Sequence, residues 1–207
     1  MIEKISLFNF KSFSQLKELE IKPITILCGT NSCGKSSILQ SLLLFKQTSE
    51  SQNPTQTILL NGRFAHLGTF ENIIYGKDAQ RNVKFEFEFL FSRQDLRTTT
   101  RKFGGRLFWY MRSLLSDKSY KDSDAKYKIS YSVSLRSSGE KKAISKPISI
   151  DALSFKVEAI KSDGSIMDEA QVSLQLKNDK TYQVIWKNLV IRGAHDESSA
   201  RGGNGDL

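Results

Sequence analysis

Gly29-Thr30-Asn31-Ser32-Cys33-Gly34-Lys35-Ser36 sets two glycines, a lysine and a hydroxyl at the spacing G-x-x-x-x-G-K-[ST]. Each residue type has a task in gripping a chain of phosphates. Glycine at 29 and 34 permits the backbone angles that turn successive N–H groups inward as an anion nest. A helix beginning near Lys35 adds the positive end of its dipole. Lys35 is a mobile point charge for the β- and γ-phosphates, and the Ser36 hydroxyl is the expected protein ligand of a phosphate-bound Mg²⁺. The pattern predicts an ATP and Mg²⁺ site built from Gly29, Thr30, Asn31, Ser32, Cys33, Gly34, Lys35, Ser36 and Ser37, with Lys35 stabilising the phosphates. Cys33 reads either as a small filler of the nest or as a thiol activated by the helix end and Lys35.

The flanking sequence supplies what such a loop needs. Ile24-Thr-Ile-Leu27 is a short apolar run that predicts a strand entering Gly29, and Ser37–Gln47 carries Ile38, Leu39, Leu42, Leu43 and Phe45 at helical spacing. Upstream, residues 2–10 and 16–21 predict strands either side of a polar turn. Downstream, Val83, Phe85, Phe87, Phe89 and Phe91 alternate with polar residues, the mark of a half-buried strand. Further strands are expected at 127–135, 153–160, 171–176 and 182–191, the later ones joined by turns such as Ser162-Asp-Gly164 in an antiparallel meander. Residues 192–207 are Gly/Ser/Asp/Asn-rich and predict a disordered tail.

The net charge of +9 is concentrated in one stretch. From Arg93 to Lys142 there are 13 Lys and Arg against 5 Asp and Glu, leaving 18 against 17 elsewhere. Within it Arg93, Arg97, Arg101, Lys102, Arg106 and Arg112 are interleaved with Phe103, Phe108, Trp109 and Tyr110, and Lys118, Lys121, Lys126 and Lys128 follow. Cations among aromatics suit DNA, by phosphate neutralisation and base stacking; a solvated insertion whose aromatics pack on the sheet would look the same. The organisation reads as 1–92 with the loop, 93–142 as a basic insertion, 143–191 as a β-rich continuation and 192–207 as the tail. No apolar run reaches the ~20 residues of a membrane-spanning helix. The two cysteines, Cys28 and Cys33, sit at the loop, where a disulfide would stiffen the nest, so they read as thiols of a cytoplasmic protein.

Asn9-Phe-Lys11-Ser12-Phe13, then Gly29 through Ser37-Ile-Leu-Gln-Ser-Leu-Leu, resembles the N-terminal lobe of ABC-type AAA ATPases of the RecF/SMC/OLD-like branch. Leu60-Asn-Gly-Arg-Phe-Ala-His-Leu-Gly-Thr-Phe-Glu71-Asn72 is similar to a segment of predicted bacterial ATPases of that branch. The resemblance implies an α/β P-loop NTPase lobe (an ABC-type ATPase head) with a large, mainly antiparallel β portion and few helices. It also implies that Lys11 and Ser12 lie against the nucleotide, and that the activity serves DNA repair or phage defence. His66 reads as an ordinary loop histidine.

Hydrolysis in that family needs an acid at the end of an apolar strand to hold Mg²⁺, with a glutamate beside it. No such run is present, and no general base is found. Ile148-Ser-Ile-Asp151 and Ser165-Ile-Met-Asp168-Glu169 are the nearest, and Ser137-Ser-Gly-Glu-Lys141 reads as a turn rather than a signature loop. The expectation is a lobe truncated before that strand, completed by a homodimer mate or a partner subunit, and an ATP hydrolase at family level. The alternative is a non-hydrolysing, ATP-gated DNA- or protein-binding module. A small-molecule kinase fits the β-rich remainder poorly, and a GTPase lacks its Asn-Lys-x-Asp motif.

Overall fold

A computed structural model describes residues 1–51, 57–78, 80–95, 124–137, 148–178, 181–192 and 197–206. Its strands are β1 (Ile2–Phe10), β2 (Phe13–Glu20), β3 (Val83–Ser92), β4 (Lys126–Ser137), β5 (Ile148–Ile160), β6 (Ile166–Asn178), β7 (Thr181–Arg192) and β8 (Glu197–Asp206). The helices are α1 (Lys35–Ser49), the single turn α2 (Phe70–Ile73) and a 3₁₀ turn at Tyr75–Lys77. Strands follow one another in the hydrogen-bonded order β2-β1-β3-β4-β5-β6-β7-β8. The chain divides into two compact units, one of Ile5–Glu86 with Val133–Asp151, the other of Met1–Lys4, Phe87–Ser132 and Ala152–Leu207.

The first unit contains the glycine loop. A two-residue turn, Lys11-Ser12, joins β1 to β2, and α1 packs on this sheet through apolar residues drawn from distant parts of the chain. Ile5, Leu7 and Phe10 of β1, Leu44 of α1, Val83 and Phe85 of β3 and Leu135 of β4 are all buried. Phe85 is the hub: Phe10 and Phe45 each meet its ring edge-on with centroids 5.0 Å apart, an arrangement that adds to the area these rings bury. Alternation in β3 puts Val83, Phe85 and Phe87 on the buried face, as its period of two predicts.

The second unit is an antiparallel meander. Val157 of β5 pairs with Ala170 of β6, and Val172 of β6 with Trp186 of β7. Its core is Ala125, Tyr127, Ile129, Val157, Ala159 and Ala170, with Phe89, Phe91, Phe155 and Met167 packed against them. The β5–β6 turn closes at Gly164, whose φ of 85° suits a residue without Cβ, while Asp163 accepts from the Ser165 amide at 2.8 Å. On the opposite face an ion-pair ladder crosses the strands: Glu158 meets Lys128 and Lys156, and Glu169 meets Lys156 and Lys187.

Two expectations differ from the structure. Residues 24–27 form no strand; Ile24 and Ile26 are 83% and 79% exposed. An apolar β-branched run forms a strand when a neighbour satisfies its backbone, and none of the described residues does so here. Conversely, 197–206, whose composition predicts no order, is the strand β8 paired antiparallel along β7; backbone pairing to an existing edge requires little of side chains.

Candidate functional site

Gly34 is the N-cap of α1, with φ 101° and ψ 3°. Its carbonyl accepts from the Ser37 amide at 2.9 Å and the Ile38 amide at 3.2 Å, so the helix starts at full strength immediately behind it. No side chain caps this end, which leaves the first amides of the helix available to an anion. Gly29 (φ 148°), Ser32 (φ 64°) and Gly34 bend the loop through conformations that side chains disfavour. A Cβ on Gly34 would lie 2.5 Å from both Phe13 Cζ and Ser12 Oγ. The glycine is therefore required by packing as well as by backbone angle.

Lys35 folds over the loop, its Nζ donating to the carbonyls of Gly29 (2.8 Å) and Thr30 (2.5 Å). Cys33 Sγ lies 3.6 Å from the same ammonium, and both Cys28 and Cys33 are free and exposed. Ser12, Asn31, Ser32, Gly34, Lys35, Ser36 and Ser37 line a cavity of about 220 Å³. Its lining carries hydroxyls, an amide, an ammonium and bare backbone, with no carboxylate, a donor set suited to phosphate. Of the expected residues, Gly29, Thr30 and Cys33 stand at the lysine instead of on the cavity wall.

The β1–β2 turn meets the start of α1. Ser12 Oγ is 3.4 Å from Ser37 Oγ. Lys11 does not line the cavity; its Nζ donates to Gln40 Oε1 at 2.6 Å, and burial lowers its pKa. Its backbone is left-handed at φ 51° and its amide donates to the Ile73 carbonyl at 2.6 Å.

Sequence reasoning missed Gln40, Gln47 and Phe13. Gln40 could have been found from its place four residues after Ser36, on the same helix face. Gln47 is 3% exposed; its Nε2 donates to Leu59 O at 2.5 Å and its Oε1 accepts from the amides of Ala65 (2.9 Å) and Phe64 (3.3 Å). That clamp orders the segment around His66, which is exposed and bridges to Asn61. No local signal marks such a contact.

The acids nearest to a metal-holding pattern are engaged elsewhere. Asp151 accepts from Asn82 Nδ2 at 2.8 Å and Ser134 Oγ at 3.4 Å, and Glu169 sits in the ion-pair ladder. Among the described residues no group of three or more His, Cys, Asp or Glu could hold a metal ion. Most of the basic, aromatic stretch, including Arg97 through Lys121 and the turn at 138–141, lies outside the described residues. No helix among them is long and apolar enough to cross a membrane.

A left-handed glycine that caps a half-buried helix, with a lysine folded over the loop before it, defines a P-loop NTPase module. The chain belongs to the AAA ATPase domain family, whose model matches residues 1–193. It is thus an ATP-binding ATPase module with a mostly antiparallel sheet and few helices. No curated protein and no solved structure matches it.

Proposed function

We propose that the cavity at the α1 N-terminus holds the phosphates of Mg-ATP. The amides of residues 29–36 cradle them, Lys35 neutralises the β- and γ-phosphates, and Ser12, Asn31, Ser32 and Ser37 complete the wall. The observation that carries this reading is Gly34: an uncapped helix end opening into a donor-lined cavity free of carboxylates. Mg²⁺ fits the site because it keeps several waters and needs few protein ligands beyond the phosphates; the Ser36 hydroxyl would be that ligand. The ion's chemistry there is neutralisation of charge on the transferred phosphoryl group.

Hydrolysis also requires a residue that activates or orients water, and no carboxylate lines the cavity to do so. We assign that role to another lobe or subunit, a homodimer mate or a different chain. Ile24 and Ile26, which precede the loop in the chain, and Leu39 of α1, which follows it, are exposed apolar side chains that such a partner would cover. Resemblance to the RecF/SMC/OLD-like branch would set this activity in DNA repair or phage defence. The second reading, a non-hydrolysing module in which ATP gates association with DNA or a protein, rests on the same carboxylate-free cavity and on the net charge of +8 that 13 basic and 5 acidic residues give 93–142.

Titration calorimetry with Mg-ATP tests the binding site. Heat that disappears in Lys35→Ala is the expected result, and its absence in the wild-type chain would refute the reading. Steady-state phosphate release above that of the Lys35→Ala control would remove the binding-only alternative.

A further inference from the structure

The turn between β1 and β2 is tied to α1 at two successive points of one helix face. Ser12 reaches Ser37, and Lys11 reaches Gln40, three residues and one turn further on. Lys11 is also fixed from behind, since its left-handed backbone is held by the Ile73 carbonyl. Its ammonium is partly withdrawn from water, and among the described residues its acceptor is the neutral oxygen of Gln40. A neutral acceptor fixes the ammonium without cancelling its charge. Four residues of helical rise put Gln40 about 6 Å along the axis from Ser36, well inside the ~8–10 Å over which a charge acts with little screening.

We propose that Gln40 is a positioning residue for nucleotide binding: it holds the Lys11 ammonium at the second turn of α1, where the charge adds to the field that Lys35 and the loop amides direct at the phosphates. The inference rests on the reading of residues 29–36 as the Mg-ATP site. Gln40 itself touches no phosphate. Its contribution passes through Lys11, which makes the two residues energetically coupled.

A double-mutant cycle read by calorimetry with Mg-ATP tests this in the full chain, with Gln40→Met, Lys11→Met and the pair together. Methionine keeps the volume and removes the acceptor. Gln40→Met weakens binding roughly fivefold, and in the Lys11→Met background it costs nothing further, because coupled residues lose their shared interaction once. Equal weakening with and without Lys11, or no weakening in either, overturns the proposal. Gln40→Glu supplies a second test, since it keeps the acceptor and strengthens the pair while discharging Lys11. It raises thermal stability or leaves it unchanged and yet weakens Mg-ATP binding; wild-type affinity in this variant overturns the proposal. If the wild-type chain shows no Lys35-dependent heat, the phosphate-site reading fails and takes this one with it. Lys35-dependent binding without Lys11–Gln40 coupling removes this inference alone.

Discussion

The two units keep their shapes by different means. Nine of the eleven left-handed backbone positions among the described residues lie in the unit that carries the glycine loop: Asn9, Lys11, Glu18, Gly29, Ser32, Gly34, Gly68, Gly76 and Lys77. The meander has two, Gly164 and Asn188. Ion pairs differ as well. In the loop unit they are local, such as Lys46–Glu50 and Arg81–Asp78, whereas in the meander Lys128–Glu158, Lys156–Glu169 and Lys187–Glu169 join different strands. Local strain is tolerated where packing over-determines it, and it gathers where a ligand must meet bare backbone. A regular ladder needs none, and fixes its register with cross-strand side-chain pairs instead.

The strongest test of this contrast is Phe85→Ala. Removing the ring that both Phe10 and Phe45 pack against costs about 3–5 kcal/mol, measured by chemical denaturation. Next in size is Lys35→Ala, which weakens Mg-ATP binding by about hundredfold or more in calorimetry. Its melting temperature stays near that of the wild type, since Lys35 supports no core contact.

The ladder responds to pH with a definite sign. The hydrogen bond from Lys187 holds the Glu169 carboxyl below the ordinary range. Burial pushes Glu158 up, but its hydrogen bond with Lys156 and the charges of Lys128 and Lys156 prevail, and the net shift is downward. Both carboxyls therefore lend stability that is complete above their unfolded value near 4.5 and is lost as pH falls through the lowered folded values. Denaturation midpoints measured across the acid range should fall less steeply for a Glu158→Gln, Glu169→Gln variant. The same change leaves Mg-ATP affinity unaltered if the contrast between the units holds. The smallest effect belongs to the exposed Lys46–Glu50 pair: Lys46→Ala costs about 0.5 kcal/mol or less, read as a shift in melting temperature that disappears in high salt.

Much of this was legible in the sequence where the period or the residue type is itself the cause. Gly29, Gly34 and Lys35 announce the loop because few other residues can take those angles or carry that charge. The alternation from Val83 to Phe91 announces β3 because each side chain needs a definite face. Legibility failed where the cause lies far along the chain. Ile24–Leu27 has strand-forming residues, but a strand needs a neighbour that composition does not name. Phe13 against Gly34, and Lys11 with its amide on Ile73 and its ammonium on Gln40, depend on how a hairpin meets a helix. The acids at Asp151 and Glu169 looked like fragments of a metal-holding strand and are occupied by Asn82 and Ser134, and by lysines.

Gln47 gives α1 a second end that matters. The helix begins at the cavity proposed to hold phosphate, and its last full turn grips Leu59, Phe64 and Ala65 through one buried amide. The helix from Lys35 to Gln47, about 18 Å, thus acts as a rigid rod between the loop and a surface segment bearing Arg63. Any displacement of the rod when nucleotide arrives is transmitted to that segment, so a fluorophore placed at Arg63 would report on an event at Gly34 that it never touches.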